Sequence, residues 1–575
     1  MPAATCVPDL LRARRAAAPD HVALAADGGQ SLTYRDWDRR SDAIARGLAA
    51  EDISRGDRIA LFFDNGHWSD YAVCYLAVHK VGAAAVPLSP RFSAAELTEV
   101  ISHADVAMLL CPSDLIPPAR LSRVAPFGDL EAGQPQDPFQ APGGAGDLAE
   151  IIYTSGTTGT PKGVACSHAS LLAHDLPPES ADPTSFLHAF PIGTNAGQEC
   201  LRMPLRRVVT AVVLPSFDPE RLCAVLAERR IRRLQLVPAM AQLVVESRAP
   251  ARYDVSWVER VTLSSAPAPP ALWDGLAEAF PNASLWNAYA LTEGGGARTL
   301  MRYEPARPGS VGPPVGRSEV RVVDEADGDL PAGETGEVWL RRVGTLRREY
   351  FRDPTATAAA FAGDWLRTGD LGYRDEDGYL YLVDRKRDII ISGGLNISPV
   401  EVEHALLGHP AVAEAAVFGV THAVLGQEVA AAVVAHAPTD PRELQAAARK
   451  LLGEHKVPRR IFFVDRLPRN EAGKVLKREL RERFAARSPT GASPPRSDRE
   501  AAVAAVWKDV LELADVGLDD DFFALGGHSL AAAQVAARLQ DAFDVELPVT
   551  AVFEWPTVAE LAAALGDALA EPSPR

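Results

Sequence analysis

The fold of this 575-residue chain is decided at Ile152-Tyr153-Thr154-Ser155-Gly156-Thr157-Thr158-Gly159-Thr160-Pro161-Lys162-Gly163. An apolar run from Ala149 to Tyr153 predicts a short buried strand that stops sharply at this loop. Glycines let backbone N–H groups approach an anion, hydroxyls donate hydrogen bonds, and Lys162 adds a positive charge. The loop therefore has the chemistry of a polyphosphate site. It is not the G-x-x-x-x-G-K-[ST] loop, because Lys162 follows a proline and precedes a glycine.

This string resembles the phosphate loop of the adenylate-forming superfamily, which includes acyl-CoA synthetases, luciferases and the adenylation domains of non-ribosomal peptide synthetases. The alternative is a flexible surface loop rich in serine, threonine and glycine. The resemblance implies that ATP and Mg²⁺ are used. It assigns the ATP phosphates to Thr154, Ser155, Gly156, Thr157, Thr158, Gly159 and Lys162.

The composition is that of an ordinary soluble protein with several domains. Hydrophobic residues at 47% supply a large core, and the formal net charge of −17 argues against a nucleic-acid partner. The six cysteines are scattered without metal-ligand spacing, which fits a reducing cytoplasm. A signal peptide and a run of 18 apolar residues are both lacking. We expect a cytoplasmic protein without a membrane segment.

Strands alternate with helices over residues 1–150 and again after the phosphate loop. Arg58 to Phe63 and Ala83 to Pro87, for example, are apolar runs of strand length with helical patterns between them. Such alternation predicts βαβ units and parallel sheets. The fold class is therefore predicted as α/β.

The resemblance adds a division into domains. It implies a large adenylation core of stacked parallel sheets at 1–384 and a small mobile α/β subdomain at 385–485. The Pro/Ser/Gly-rich residues 486–498 read as a linker. Residues 499–575 show an all-helical pattern and are predicted to form a helical carrier bundle.

A second motif follows at Trp286-Asn287-Ala288-Tyr289-Ala290-Leu291-Thr292-Glu293. It resembles the aromatic-Gly-x-Thr-Glu motif of the superfamily, with Ala290 where glycine is usual. On that resemblance Tyr289 stacks on adenine, Thr292 contacts the α-phosphate and Glu293 holds Mg²⁺. A carboxylate is a ligand that Mg²⁺ prefers beside phosphates.

Thr368-Gly369-Asp370 resembles the ribose-binding element of the same superfamily. The resemblance implies that Asp370 accepts hydrogen bonds from the two ribose hydroxyls. Leu382 would cover the adenine face opposite Tyr289, and Arg385 would reach ribose or phosphate. A tight turn is the alternative for such a short string.

A hinge and a lysine segment come next. Asp384-Arg385-Lys386-Arg387-Asp388 resembles the hinge, with Arg387 as the residue about which the small subdomain rotates, and Gly393 and Gly394 would line the pantetheine channel. Pro468-Arg469-Asn470-Glu471-Ala472-Gly473-Lys474 resembles the P-x-x-x-x-G-K segment. Its lysine, Lys474, would reach the carboxylate and the α-phosphate during adenylation, although a lone lysine is ordinarily a solvated charge.

The C-terminal region resembles an acyl or peptidyl carrier protein. Its string Asp519-Asp520-Asp521-Phe522-Phe523-Ala524-Leu525-Gly526-Gly527-His528-Ser529-Leu530 opens a predicted helix that runs to about Phe543. On that resemblance Ser529 would carry a 4′-phosphopantetheine arm, and a helix N-terminus also favours a phosphate. The alternative is an ordinary N-cap serine. Between Arg499 and Glu571 three basic and fourteen acidic side chains occur, a balance typical of carrier domains.

Together the motifs predict a two-step ligase for natural-product biosynthesis. A carboxylate attacks the α-phosphorus of ATP to give acyl-AMP and pyrophosphate, and the carrier thiol then takes the acyl group as a thioester. The tether would supply that thiol at a local concentration on the order of millimolar. Partners implied are a phosphopantetheinyl transferase and downstream condensation, ketosynthase or tailoring enzymes. A small MbtH-like helper protein stays open.

The acid is less well specified. Amino-acid-activating domains usually place an Asp in an F-D-x-S string, whereas this chain has Phe190 to Glu199 there, with Asn195 at the Asp position. Burying an unpaired ammonium is costly, so we expect an acid without a standard α-amino group: aryl, hydroxy, aliphatic or β-amino. Glu199 could hold a displaced amine. The predicted substrate pocket consists of Asn195, Gln198, Ser265 and Ala288.

Three alternatives remain open from the sequence. Free coenzyme A or a separate carrier could be the acceptor, the substrate could be an amino acid, or the scaffold could be a non-catalytic docking platform. The arginines Arg202, Arg206 and Arg207 are expected to form an exposed helix face rather than an anionic-substrate site. Retention of four motif side chains argues against a dead scaffold: Lys162, Glu293, Asp370 and Lys474.

Overall fold

The computed structural model shows an α/β protein with stacked mixed sheets and a helical C-terminal region. The predicted fold class is thereby confirmed. The residues that the structure describes are 4–118, 123–139, 143–154, 162–173, 185–344, 348–386, 388–392, 395–422, 425–470, 473–485, 495–511, 516–518, 522, 529–543, 545, 547–548 and 551–570.

Two compact units make up the chain. The first comprises Met1–Lys386 with Arg469–Lys474, and the second comprises Arg387–Pro468 with Val475–Arg575. The domain boundaries inferred from the sequence at 384, 485 and 498 stay predictions.

Strands and helices of the first unit are numbered in chain order. The strands are β1 Val22–Ala26, β2 Ser31–Thr33, β3 Arg58–Phe62, β4 Ala84–Leu88, β5 Met108–Cys111, β6 Val124–Pro126, β7 Leu148–Thr154, β8 Lys162–Ser167, β9 Ser185–His188, β10 Thr210–Val213, β11 Arg233–Leu236, β12 Arg260–Ser264, β13 Ser284–Ala290, β14 Arg298–Arg302, β15 Ser310–Gly312, β16 Glu319–Val323, β17 Gly336–Arg341, β18 Glu349–Tyr350, β19 Phe361–Ala362, β20 Trp365–Arg374 and β21 Leu380–Arg385. The helices are α1 Val7–Ala17, α2 Tyr34–Ala50, α3 Trp68–Lys80, α4 Ala94–Ala104, α5 Phe127–Glu131, α6 His168–Leu172, α7 Asn195–Arg206, α8 Pro219–Glu228, α9 Pro238–Ser247, α10 Pro270–Ala279 and α11 Pro354–Ala360.

Three sheets form the first unit. One has the order β14-β13-β12-β11-β9-β10-β1-β2, the second β18-β8-β7-β4-β3-β5-β6, and the third β15-β21-β20-β17-β16 with β19 beside β20. The first has a parallel centre with two antiparallel edges, the second is parallel from β7 to β6 with one antiparallel edge at β8 and β18, and the third is antiparallel. The prediction of parallel sheets therefore holds for their centres. Their fully buried strands such as β4 are typical of parallel pairing with both faces covered.

The largest core cluster lies between the first two sheets. It joins residues of β1 and β10 to residues of β3 and β4 through the buried faces of α2, α3 and α7. Local signals start the helices: Oγ1 of Thr33 accepts from the backbone N–H of Asp36 at the start of α2, and Ser93 with Glu96 forms a capping box on α4. The helix α7 thus contributes its buried face to this core cluster, together with strands of both sheets.

The second unit contains a mixed sheet and the C-terminal helices. Its strands are β22 Ile390–Ser392, β23 Leu395–Ile397, β24 Val412–His422, β25 Gly426–Ala435 and β26 Arg460–Phe463. Its helices are α12 Pro399–Leu407, α13 Pro441–Arg449, α14 Lys477–Ala485, α15 Asp498–Leu511, α16 Ser529–Phe543, α17 Ala551–Glu554 and α18 Val558–Ala570. The last four helices bury their own apolar cluster around Trp507, Val535 and Leu561.

The sequence predicts no membrane segment and cysteines suited to a reducing environment. None of the helices described is long and apolar enough to cross a membrane. All six cysteines are free and buried.

Candidate active site

The predicted ribose and adenine residues come together where the ends of β13 and β21 meet the middle of β20. Asp370 of β20 and Arg385 of β21 are register partners, and Tyr289 lies near the end of β13. The Tyr289 hydroxyl donates to Oδ2 of Asp370 at 2.6 Å, and Nε of Arg385 lies 2.9 Å from Oδ1. Burial, and then the Asp370 charge, raises the pKa of Tyr289 well above its usual value. These contacts hold the Asp370 carboxylate and the Tyr289 ring in fixed positions.

The predicted metal ligand is held by a residue that the sequence analysis missed. The Tyr350 hydroxyl donates to Oε1 of Glu293 at 2.9 Å, and Nζ of Lys162 lies 5.1 Å from the centroid of the Tyr350 ring. Tyr350 reaches both because β18 pairs with β8, which begins at Lys162. Burial and the Glu293 charge raise the pKa of Tyr350. Tyr350 therefore joins Lys162 to Glu293, the carboxylate predicted to bind Mg²⁺.

A local signal near Tyr350 existed but did not reveal this contact. Asp353 and Pro354 three residues later are an N-cap and N1 pair that marks the start of α11. Such a signal predicts a helix start, not a hydrogen bond to a side chain 57 positions earlier.

A second missed residue, Arg348, supports the motif backbone. Its side chain is buried, and Nη1 donates to the carbonyl oxygen of Thr292 at 2.5 Å. Thr292 to Gly294 form a 3₁₀ turn that ends at Gly295, whose φ is +59°. Ala290, which stands where glycine is usual, is exposed at the end of β13 and does not have a positive φ. Its methyl group therefore introduces no backbone strain.

The phosphate loop joins two antiparallel strands. Thr154 ends β7, Lys162 begins β8, and the two are register partners with Oγ1 of Thr154 3.4 Å from the Lys162 carbonyl oxygen. Glycine is required at 163, because a Cβ there would lie 2.8 Å from Cγ2 of Ile151. The predicted phosphate ligands Ser155, Gly156, Thr157, Thr158 and Gly159 lie outside the described residues.

Lys474 belongs to the first unit together with the segment that carries it. The backbone N–H of Lys474 donates to Oδ1 of Asn470 at 2.8 Å, and that of Asn470 donates to the Lys474 carbonyl oxygen at 2.9 Å. Gly473 has a φ of +77°, which this tight turn requires.

Of the other predicted site residues, the structure describes Leu382 and Ser529 but not three further ones. Leu382 is partly buried against the same core cluster as Tyr289. Ser529 is the first residue of α16, as expected for a serine at a helix N-terminus. The hinge residue Arg387 and the channel residues Gly393 and Gly394 lie outside the described residues.

The predicted substrate pocket falls on α7 and on neighbouring strand ends. Ser265 follows β12 with a φ of +75°, and Ser264 before it pairs with Ala288 of β13. Gln198 is fully buried, and its Nε2 donates to the Tyr71 hydroxyl at 2.6 Å and to the Ile192 carbonyl oxygen at 2.5 Å. Its orientation is therefore fixed, with Oε1 as the acceptor.

Two acceptor atoms in the first turn of α7 have no donor. Among the residues that the structure describes, neither the buried Oε1 of Gln198 nor the buried Oδ1 of Asn195 has a hydrogen-bond partner. A buried acceptor without a donor is unfavourable unless water or a ligand supplies one.

The expected exposed arginine face is wrong for Arg202 and Arg206. Arg202 is 1% exposed, with Nη1 2.8 Å from Oε2 of Glu150 and Nη2 2.7 Å from Oε1 of Glu199. Nη1 of Arg206 lies 2.6 Å from Oε2 of Glu199. Burial alone would lower the pKa of Arg202, but the two carboxylates raise it well above its usual value. The physical reason is Glu150, a charged residue inside β7 that requires a buried partner.

Family models match the chain in three consecutive parts. Residues 11–351 match the AMP-binding enzymes, residues 401–474 their C-terminal domain, and residues 501–565 the phosphopantetheine attachment site. The matches follow the order of the domains predicted from the motifs.

The chain is also similar to curated CoA ligases and to the solved structure of a CoA synthetase. The chain is 33% identical over 489 residues to the feruloyl-CoA synthase of an Amycolatopsis species, covering 82% of this chain and 98% of the relative. It is 32% identical over 483 residues to the long-chain-fatty-acid–CoA ligase FadD13 of Mycobacterium tuberculosis, covering 80% and 94%. The o-succinylbenzoate CoA synthetase (MenE) of Bacillus subtilis, in complex with the acyl-adenylate intermediate OSB-AMP, has a TM-score of 0.74, 27% identity and coverage of 82% and 98%.

Proposed function

Because this chain belongs to the AMP-binding enzyme family and carries a phosphopantetheine attachment domain, we propose that it loads an acid onto its own carrier domain. It is an adenylate-forming ligase that uses ATP, and the family typically uses Mg²⁺. The proposal is that acyl-AMP formed in the first unit is captured by the arm on Ser529. The single observation that carries it is the fusion of both domains in one chain.

The described side chains fit the nucleotide and its metal. ATP with Mg²⁺, when bound, supplies an electrophilic α-phosphorus and a pyrophosphate leaving group. Asp370 has a fixed carboxylate for the ribose hydroxyls, and the Tyr289 ring is available for adenine. One oxygen of Glu293 accepts a hydrogen bond from the Tyr350 hydroxyl. Among the described residues the other Glu293 oxygen has no partner, so this oxygen can bind a metal. Lys474 would bring its charge to the developing phosphate charge.

We propose an acid that has no amino group to be paired. The sequence lacks the usual Asp, and Glu199, the possible substitute, is already shared by Arg202 and Arg206. A substrate ammonium would therefore be buried without a counter-ion. The free acceptors of Asn195 and Gln198 favour a hydrogen-bond donor on the acid, such as a hydroxyl group.

Matched acids test that donor. 4-Coumarate against cinnamate, and 4-hydroxybenzoate against benzoate, should differ by about tenfold or more in kcat/KM, since an unpaired acceptor costs about 1–3 kcal/mol. β-Alanine should be inactive. Equal rates within each pair, or an unchanged preference in Asn195→Ala, would contradict the pocket assignment.

The second candidate acceptor is free coenzyme A, which the relatives' names favour. The two acceptors differ in their need for Ser529. Ser529→Ala should abolish covalent loading and leave pyrophosphate exchange intact. Undiminished thioester production by Ser529→Ala with added coenzyme A would favour the second candidate.

The deciding measurement is the intact mass of the full chain after phosphopantetheinylation, with ATP, Mg²⁺ and the acid panel. An ATP-dependent increment equal to one acyl group on the modified protein is expected. Pyrophosphate release without such an increment would point to a separate acceptor. Further proposed partners are a phosphopantetheinyl transferase and a downstream condensation, ketosynthase or tailoring enzyme of a natural-product pathway.

A further inference from the structure

The substrate helix α7 is tied to the strand before the phosphate loop by buried polar side chains. Arg202 of α7 and Glu150 of β7 are 1% and 0% exposed, and Nη1 of Arg202 lies 2.8 and 3.0 Å from the two Glu150 oxygens. The Tyr75 hydroxyl of α3 donates to Oε2 of Glu150 at 2.8 Å. A buried ion pair adds little net stability, because desolvation opposes the attraction. Its presence here suggests a role in specifying geometry.

The contacts form two rungs of matched spacing. Gln198 and Arg202 are four residues apart on α7, and Tyr71 and Tyr75 are four residues apart on α3, so each pair lies on one helix face. Nε2 of Gln198 donates to the Tyr71 hydroxyl at 2.6 Å, and Nη1 of Arg202 donates to the Tyr75 hydroxyl at 3.4 Å. A shift of α7 along its axis would break both rungs, whereas apolar contacts alone could re-form after a small slide.

Each end of this arrangement leads to a reacting partner. Asn195 begins α7, seven residues or about 10 Å before Arg202. Thr154 starts the phosphate loop, four residues or about 13 Å after Glu150 along β7. The same contacts therefore relate the turn predicted to bind the acid to the strand that precedes the predicted phosphate loop.

We propose that these five residues, Tyr71, Tyr75, Glu150, Gln198 and Arg202, act as a positioning device, here called the α7 ladder. The ladder fixes α7 against β7, so that the carboxylate of the bound acid is held in line with the α-phosphorus. Tyr71, Tyr75, Glu150 and Arg202 are positioning residues, since none is placed in contact with the substrate. Gln198 has both roles, because its Oε1 is also offered to the acid. The catalytic part of this inference rests on the proposed function; the structural part does not.

The test removes both charges together. Glu150→Gln with Arg202→Met keeps volume and leaves no unpaired ion, and such neutral replacements are commonly tolerated in folding. We expect a melting temperature close to that of the parent protein. Hydrogen exchange of the full chain should be about tenfold faster in the first turn of α7, because local opening becomes easier. In pyrophosphate exchange with the best acid of the panel, KM for the acid should rise about tenfold and KM for ATP should stay within about twofold.

A matched control comes from the same helix α3. Lys80 is fully buried and pairs with Asp42 and Asp38, both on α2. In Lys80→Met with Asp42→Asn, Asp38 keeps its pairing with Arg15. We expect this variant to change stability without altering α7 exchange or KM for the acid. A conservative Arg202→Lys, which keeps the charge but loses the planar fork, should be intermediate.

The results of these measurements distinguish failure of the ladder proposal from failure of the proposed function. A folded ladder variant with unchanged α7 exchange and unchanged KM for the acid overturns the proposal, as does a control variant that raises this KM equally. If the double variant does not fold, Arg202→Lys decides by the same two readouts. If no acid is activated by the parent protein, the proposed function fails, and the hydrogen-exchange comparison still decides whether the ladder holds α7.

Discussion

The nucleotide side and the substrate helix both hold charged side chains in place, but by different means. At the nucleotide side, Asp370 receives hydrogen bonds from Tyr289 and Arg385, and the Arg385 side chain is 34% exposed. On the substrate helix, Arg202 and Glu150 have side chains that are 2% and 0% exposed. The first arrangement is partly exposed through Arg385, although the Asp370 side chain itself is only 8% exposed, whereas the second is enclosed in the core.

The difference corresponds to two predicted roles, direct binding of a ligand and orientation of other groups through the fold. A carboxylate that must bind ribose or a metal needs an accessible face, so its partners come from one side. A charge enclosed on all sides can only orient other groups. Loss of a single charge from the buried pair should therefore appear first in stability, and loss of a charge on the nucleotide side first in kinetics.

The largest expected effect is on stability, from Arg202→Met alone. It leaves the buried Glu150 charge unpaired, and breaking a buried pair costs about 3–5 kcal/mol. Urea unfolding followed by tryptophan fluorescence should show this loss in the transition of the first unit. A loss below about 1 kcal/mol would mean that the unpaired Glu150 side chain is accommodated at low cost, and the comparison would fail.

The second largest effect is expected from lowering the pH, because two buried histidines, His168 and His188, resist protonation in the folded protein. Burial lowers the pKa of His168 to about 4 and that of His188 to about 3, from an ordinary 6.5. The unfolded chain therefore binds these protons first, so stability is complete above pH 6.5 and is lost as pH falls toward 4 and 3. At pH 5.5 each histidine should contribute a loss of about 1.4 kcal/mol.

The same unfolding curves, recorded between pH 7.5 and 5, measure the effect of acid. His188→Gln should remove its share of the slope. A variant with the full slope would show that other groups carry the pH dependence.

On the nucleotide side, Asp370→Asn should reduce kcat/KM for ATP about a hundredfold, equivalent to about 2.7 kcal/mol. It removes the charged acceptor for ribose and leaves Arg385 without its partner at Asp370. The melting temperature should change little, because the Arg385 guanidinium can be solvated. Steady-state pyrophosphate exchange gives the first quantity and thermal unfolding the second. A large fall in melting temperature with unchanged kinetics would reverse the assignment of the two sides.

The smallest effect is expected for Tyr350→Phe. The variant loses one hydrogen bond to the Glu293 carboxylate but retains the ring beside Lys162, so the metal ligand becomes less well oriented. A cost of about 1.4 kcal/mol would raise the Mg²⁺ concentration for half-maximal rate about tenfold. Mg²⁺ titration of the exchange reaction checks this. An unchanged titration would show that Tyr350 does not orient Glu293.

The predictions from the sequence were most successful for residues that belong to short motifs. Tyr289, Asp370 and Arg385 were predicted to share one site, and the structure brings their side chains within hydrogen-bonding distance. Their roles toward ATP stay predictions. Tyr350 and Arg348 were missed, because neither lies in a motif that had been recognised, and each acts on a residue more than fifty positions away.

The substrate helix shows what a linear pattern cannot provide. Arg202, Arg206 and Arg207 have the spacing of an exposed face, and a basic cluster is usually solvated. One signal pointed the other way: Glu150 lies within the run that was described as apolar. A carboxylate in a buried strand requires a cation, but the sequence does not say which one, and Arg202 is 52 positions away.

The sequence by itself determined the domain order and the ligase class and predicted the residues of the nucleotide site, because these depend on short strings whose chemistry is local. Only the tertiary structure decided that Arg202 is buried, that Glu199 is occupied, and that Tyr350 joins Lys162 to Glu293. These facts depend on which distant segments become neighbours when the sheets stack. Charge pairing in a core is a property of that arrangement, not of either residue alone.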